Sequence, residues 1–63
     1  MRGLGVSVGD ALNAKAQDYE VLVASEVERA PLGDTEGHMA AAIALAAVAI
    51  ALREVAFALD EDA

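Results

Sequence analysis

Residues 43–63 form three consecutive copies of a seven-residue pattern: Ile43-Ala-Leu-Ala-Ala-Val-Ala49, Ile50-Ala-Leu-Arg-Glu-Val-Ala56 and Phe57-Ala-Leu-Asp-Glu-Asp-Ala63. The alternation of large and small residues within each copy would also fit a strand. The seven-residue period decides for a helix, because seven residues make nearly two helical turns and alanine has the highest helix propensity. The sequence therefore predicts a helix from about residue 35 to residue 59.

The columns of this repeat predict how the helix packs. We call the leucine column a, and the other columns follow in alphabetical order. Position d then holds Ala41, Val48 and Val55, and positions e and g hold only alanine in the residues 42–58. Large residues at a and d form a seam like that of a coiled coil, and alanine flanks allow a neighbouring helix to approach closely. We expect this seam to contact the first helix of the chain.

Column f is a second apolar row, formed by Ile43, Ile50 and Phe57. It lies about 140° from the leucine column on a helical wheel, so the first helix cannot cover both rows. Leaving three such side chains exposed forgoes about 1.5–3 kcal/mol each relative to burial. The alternative is that they are ordinary surface hydrophobes, but their strict register favours a second partner. The predicted interface residues are Ile43, Ile50, Phe57, Leu45, Val48, Leu52, Val55 and Leu59.

The first helix is predicted from about residue 8 to residue 30. Either Ser7 or Asp10 can cap its beginning, and Pro31 ends it, because the residue before a proline avoids the helical conformation. Its apolar residues recur every three or four positions and predict one buried stripe, made of Val8, Leu12, Ala16, Tyr19, Val23, Val27 and Ala30.

Residues 31–34 have the composition of a turn, and Asp34 or Thr35 can cap the second helix. A connection this short makes the two helices antiparallel neighbours. The predicted fold is all-α: a flexible arm over residues 1–6, then a two-helix hairpin over residues 7–63 with an acidic tail at residues 60–63. We expect two such hairpins to form a four-helix bundle, which makes the chain a homodimer.

Length and composition narrow the classes of function. A core built from 63 residues is marginal by itself, and a chain without cysteine has neither disulfides nor thiolate metal ligands to strengthen it. Four basic residues against eleven acidic ones give a net charge of −7, which disfavours binding to nucleic acid. No secretory signal is apparent in the sequence, so a cytoplasmic location is expected.

Few side chains are candidates for chemistry. The acidic residues of the first helix are Asp18, Glu20, Glu26 and Glu28, and their spacing indicates a solvated face rather than a paired-carboxylate site. His38 is the only histidine, and its place in the first turn of the second helix is typical of a surface or capping residue. We therefore predict no catalytic residues, no cofactor and no metal, and we expect that the protein is not an enzyme.

The expected function is that of a small helical interaction module: an adaptor, regulator or structural accessory that binds a copy of itself or a partner helix. One alternative is an acidic inhibitor, similar in kind to an antitoxin, that occupies a basic site on another protein. A second alternative is a single-span membrane subunit, because residues 39–52 are uncharged. A spanning helix needs about 20 predominantly apolar residues, and Arg53 and Glu54 interrupt this stretch.

Overall fold

The computed structural model describes residues 7–62, so the predicted arm at residues 1–6 lies outside the described residues. Helix α1 spans Val8–Arg29, a short 3-10 helix spans Ala30–Leu32, and helix α2 spans Thr35–Asp62. Within residues 7–62 there is no strand. The two long helices pack against each other along their length, which confirms the predicted all-α helical hairpin.

Ser7 caps helix α1. Its backbone is extended, and its hydroxyl accepts a hydrogen bond from the backbone N–H of Asp10 at 3.1 Å. Asp10 lies in the first helical turn, where the positive end of the helix dipole favours a carboxylate. Of the two caps that the sequence allows, the structure has Ser7.

The turn between the helices is tightened by residues with unusual backbone conformations. Pro31 lies at the beginning of the 3-10 helix, and the φ angles of Gly33 and Asp34 are 154° and 50°. Glycine adopts positive φ readily, and aspartate tolerates the left-handed region better than most residues do. The hydroxyl of Thr35 then donates a hydrogen bond of 2.6 Å to the carbonyl of Ala30. This bond ties the beginning of α2 to the end of α1 and makes the hairpin antiparallel.

Helix α2 continues to Asp62, into the predicted acidic tail at residues 60–63. The last turns lie beside the beginning of α1: a Cβ atom on Gly9 would be 2.8 Å from an Asp60 carboxylate oxygen and 3.6 Å from the Ala56 carbonyl oxygen. The Asp60 carboxylate therefore lies at the N-terminal end of α1, where the helix dipole favours negative charge. This contact gives a physical reason for the longer helix.

Small residues form the contact line between the two helices. On α2 the buried residues are the alanines of column e: Ala42, Ala49 and Ala56. Gly9 and Ala16 of α1 and Ala30 of the 3-10 helix are also buried, at multiples of the same seven-residue spacing. The five alanines are at most 5% exposed. The predicted seam at columns a and d is therefore displaced. Contact is centred on column e, about 40° around the helix from the leucines.

A hairpin that packs on alanine buries little apolar volume. No large side chain is fully buried in the described residues. The backbone forms a slab of 49 × 19 × 9 Å, which is two helices wide and one helix thick. Its radius of gyration is 14.8 Å, against about 11 Å for a compact domain of this length. Among the described residues, no further element covers either broad face of the slab.

The alanine contact line makes a direct prediction about stability. Ala49→Leu places three more heavy atoms where Ala49 is 3% exposed, and overpacking of this kind costs about 1–3 kcal/mol. Ala51→Leu is the matched control, because Ala51 is exposed on the same helix. Thermal unfolding followed by circular dichroism should show a lower midpoint for Ala49→Leu alone. Equal midpoints for the two variants would contradict the packing described above.

Candidate interaction surfaces

The isoleucine row, Ile43, Ile50 and Phe57, projects from one broad face of the slab. These three side chains are 59–68% exposed. The row lies about 100° around α2 from the alanine contact line, on the side of Arg53. The structure thus places column f on an outer face of the described residues, and on the opposite face it leaves the valines of column d 40–50% exposed.

A second apolar surface lies on the other side of the slab, and both helices contribute to it. Val48 is 40% exposed, Val55 is 50% exposed, and Leu22 of α1 is 48% exposed. Half-buried side chains fill the groove between the helices on this side. We call this surface the leucine–valine face, and its members are Leu12, Tyr19, Leu22, Leu45, Val48, Leu52, Val55 and Leu59.

Two side-chain contacts fix which residues share a face. His38 lies in column a of α2, and its side chain is hydrogen-bonded to Glu26 of α1. Leu12 and Tyr19 are spaced at sevens from Glu26 and therefore lie on the same side of α1. Leu12 and Tyr19 therefore border the groove on the side of Leu45 and Leu52. Arg53 lies on the other side of the alanine line and bonds Glu20, so that polar pair belongs to the face of the isoleucine row.

The predicted stripe of α1 is only partly buried. Leu12, Tyr19 and Val23 are half-buried, whereas Val8 is 66% exposed and Val27 is 46% exposed. The prediction for these two valines is wrong because the contact line runs along Gly9, Ala16, Val23 and Ala30. The valines lie beside that line.

Arg53 holds the two helices together on the face of the isoleucine row. Its guanidinium donates from Nε to Glu20 Oε2 at 2.9 Å, from Nη2 to Glu20 Oε1 at 2.8 Å, and from Nη1 to Asn13 Oδ1 at 3.1 Å. The Glu20 contact is bidentate, a geometry that strengthens an arginine–carboxylate pair. The sequence alone gives no signal for this pair, because the partners are 33 residues apart and both are exposed.

The same contact shifts the titration of both groups. The hydrogen bonds from Arg53 hold the pKa of the Glu20 carboxyl below its ordinary value, despite an opposing effect of desolvation. The reciprocal hydrogen bonds raise the pKa of the Arg53 guanidinium. The pair therefore remains charged over a wider range of pH than either residue would alone.

A second polar cluster lies at the turn end of the hairpin. His38 Nδ1 is 2.6 Å from Glu26 Oε1, and Arg29 Nη1 is 3.7 Å from Glu26 Oε2. Next to this cluster is an open depression of about 450 Å³, lined by Arg29, Leu32, Gly33, Asp34 and His38. The bond to Glu26 gives His38 a structural role, linking the first turn of α2 to the last turns of α1.

The remaining charged contacts are local. Lys15 and Asp18 approach to 3.8 Å, and Arg29 and Glu26 approach to 3.7 Å, each across three residues of α1. Exposed pairs of this kind contribute only a few tenths of a kcal/mol. Among the described residues no group of three or more histidine, cysteine, aspartate or glutamate side chains is arranged to hold a metal ion.

Helix α2 also has the length and composition of a membrane span. The stretch Thr35–Asp60 contains an 18-residue window with a mean hydropathy of 2.1, and 17% of that window is buried against the rest of the chain. A core helix of a soluble protein and a signal sequence can reach the same hydropathy, so the property indicates an unusually apolar helix and nothing more specific.

No known protein family matches the chain, and no curated protein or solved structure shows significant similarity to it.

The shifted pKa of Glu20 predicts how stability depends on pH. A carboxyl whose pKa is lowered by folding stabilises the fold above its ordinary value, 4.5 for this group, and this contribution is lost as the pH falls through the lowered pKa. Glu20→Gln should therefore lose stability near neutral pH and show a smaller decline in acid than the wild type. The measurement is the urea midpoint at a series of pH values.

Glu28→Gln is the control for this experiment, because Glu28 is an exposed carboxylate on the same helix. It should keep the acid decline of the wild type. An acid decline in Glu20→Gln equal to that of the wild type would show that the Arg53 contact does not stabilise the hairpin.

Proposed function

We propose that the protein is a soluble, non-enzymatic interaction module whose hairpins associate with one another through the exposed apolar side chains of α2. In this role it serves as a small adaptor, regulator or structural accessory. The cytoplasmic location expected from the sequence is part of the same proposal. The observation that supports it is a hairpin with an alanine contact line and large aliphatic side chains on both outer faces.

The energetic argument rests on which groups are buried. A buried methyl group contributes about 0.8 kcal/mol, whereas a large aliphatic or aromatic side chain contributes about 1.5–3 kcal/mol when fully buried. In the described part of this hairpin the buried hydrophobic side chains are alanines, whereas the isoleucines, valines and phenylalanine of α2 are at least 40% exposed. Association would add the larger contribution to the stabilising free energy, since a second protein surface can cover the large side chains that the hairpin leaves in water.

Two apolar faces suit an adaptor. One face can hold a second copy, while the other remains available to a partner helix that inserts apolar residues at intervals of three and four. The acidic surface disfavours nucleic acid as the partner, because the net charge is −7.

A single membrane span is the second candidate, and the hydropathy of Thr35–Asp60 is the observation that favours it. The Arg53 contacts oppose it. Insertion of α2 alone would either break the hydrogen bonds to Glu20 and Asn13 or carry these polar groups towards the bilayer. A charged residue within a span is costly, and Glu54 adds a second charge next to Arg53.

The proposal predicts the mass of the protein in solution. Purified without detergent, the chain should remain in solution and sediment at equilibrium with a mass at least twice its 6.4 kDa, because paired hairpins bury apolar faces that a monomer leaves in water. A stably folded monomer at all accessible concentrations would contradict the proposed self-association. A chain that stays in solution only with detergent or lipid vesicles would favour the membrane span.

A further inference from the structure

We infer that the leucine–valine face, and not the isoleucine row, is the surface on which a second copy of this chain docks. The inference rests on the proposed self-association and adds the face through which it occurs. It is drawn from three properties of the slab: the width of each apolar surface, the position of the charged side chains, and the packing in the groove between the helices.

The first property is width. The isoleucine row lies on one helix, and the α1 residues on that side are mainly polar, among them Asp10, Gln17 and Glu20. Val27, which is 46% exposed, is a large apolar side chain on that side and lies near the turn. The leucine–valine face draws on both helices, with Leu22 and Tyr19 from α1 opposite the leucines and valines of α2. A slab face of 49 × 19 Å measures about 900 Å², and a standard stable interface buries about 800 Å² on each partner. Only an apolar surface two helices wide approaches that area.

The second property is the position of charge. Arg53 and Glu20 lie in the groove beside the isoleucine row, so a flat partner on that face would remove a solvated ion pair from water. On the opposite side, the middle of the groove is lined by Leu12, Tyr19, Leu45 and Leu52. Charged groups on that side lie at the turn end, at Glu26, or along the outer edge of α1, at Lys15. An apolar centre with a charged rim is the usual arrangement of a protein–protein interface.

The third property is the packing within the groove. Leu45, Leu52 and Tyr19 are half-buried by the neighbouring helix, so each already has part of its rotamer freedom restricted. Docking completes their burial at a lower entropic cost than ordering the fully projecting side chains of the isoleucine row. Two leucine–valine faces in contact would form a four-helix bundle with the isoleucine rows on its outside.

Val48 and Ile50 provide a matched pair for testing this inference. They are two residues apart on the same helix, project from opposite faces, and are 40% and 59% exposed. Val48→Glu should raise the dissociation constant of the dimer about a hundredfold or more, because docking would bury an unpaired charge. Ile50→Glu should change it by less than about threefold, a change typical of a residue outside the interface. Sedimentation equilibrium measures both, and circular dichroism checks that each variant keeps its helices.

Val48→Ala and Ile50→Ala repeat the comparison without a charge, in case Val48→Glu does not fold. Weaker association of Val48→Ala alone supports the inference. If the dissociation constant rises for the Ile50 variants and not for the Val48 variants, the isoleucine row is the interface: the inference is then wrong and the proposed self-association stands. If the wild type is a folded monomer, the proposed function fails before the variants are compared.

The fluorescence of Tyr19 provides a second test of the interface that needs no substitution. Tyr19 is the only tyrosine, the chain has no tryptophan, and it lies on the leucine–valine face, half-buried. Its fluorescence should become harder to quench with acrylamide as the protein is concentrated from below to above its dissociation constant. Quenching that does not change while the mass doubles would place the interface on the other face and overturn the inference.

Discussion

The contact between the small residues of α1 and α2 is the constraint on which the rest of the structure depends. Gly9 and Ala16 on one helix and Ala42, Ala49 and Ala56 on the other are buried at seven-residue intervals. Because these residues are small, the helices can lie close together, and apart from the half-buried Val23 the larger apolar side chains lie beside the contact line. The hairpin is therefore well defined in geometry and poor in buried apolar surface.

In this arrangement, the contacts that set the geometry of the hairpin differ from the side chains that could contribute most to its stability. The turn at Gly33 and Asp34 and the bond from Thr35 to Ala30 set the direction of α2. The bidentate contact of Arg53 with Glu20 crosses from helix to helix on one side, and the bond between His38 and Glu26 does so on the other side, near the turn. These polar contacts align the helices, but the Arg53–Glu20 pair is exposed, and exposed ion pairs contribute little free energy. The larger reserve of stabilisation remains in the exposed leucines, valines and isoleucines, and that is why we propose association as the function of the surface.

Much of the fold could be predicted from the sequence, because its signals are local. Ser7 at the beginning of α1, Pro31 and Gly33 at the turn, and the heptads of α2 indicate two helices and a short connection without knowledge of the tertiary structure. The rotation of the helices could not be predicted in the same way. Either the leucine column or the alanine column of α2 could contact α1. Which of the two does so depends on α1, because its own small residues, Gly9 and Ala16, match the alanine column. Small residues that recur at seven-residue spacing in both helices are the signal that would have predicted this rotation.

The polar contacts were harder to predict than the helices. Glu20 and Arg53 come together only when the turn fixes the antiparallel register, and neither residue stands out in its own helix. The same register separates the two apolar surfaces of α2. The face of Val48 gains Leu22 and Tyr19 from α1, whereas the face of Ile50 gains Glu20 and Asn13, the polar partners of Arg53. The sequence could show that α2 has more apolar surface than α1 can cover. Which part of that surface is two helices wide became visible only from the pairing.

The central claim is that the hairpin derives a substantial part of its stability from a second copy. The most direct test is the thermal midpoint of the unmodified chain, measured by circular dichroism over a wide range of protein concentration in buffer without detergent. Because binding to the folded state stabilises it by mass action, the account predicts a midpoint that rises steadily with concentration. A cooperative transition whose midpoint is the same at every concentration would show that the single hairpin is sufficient, and it would contradict the account.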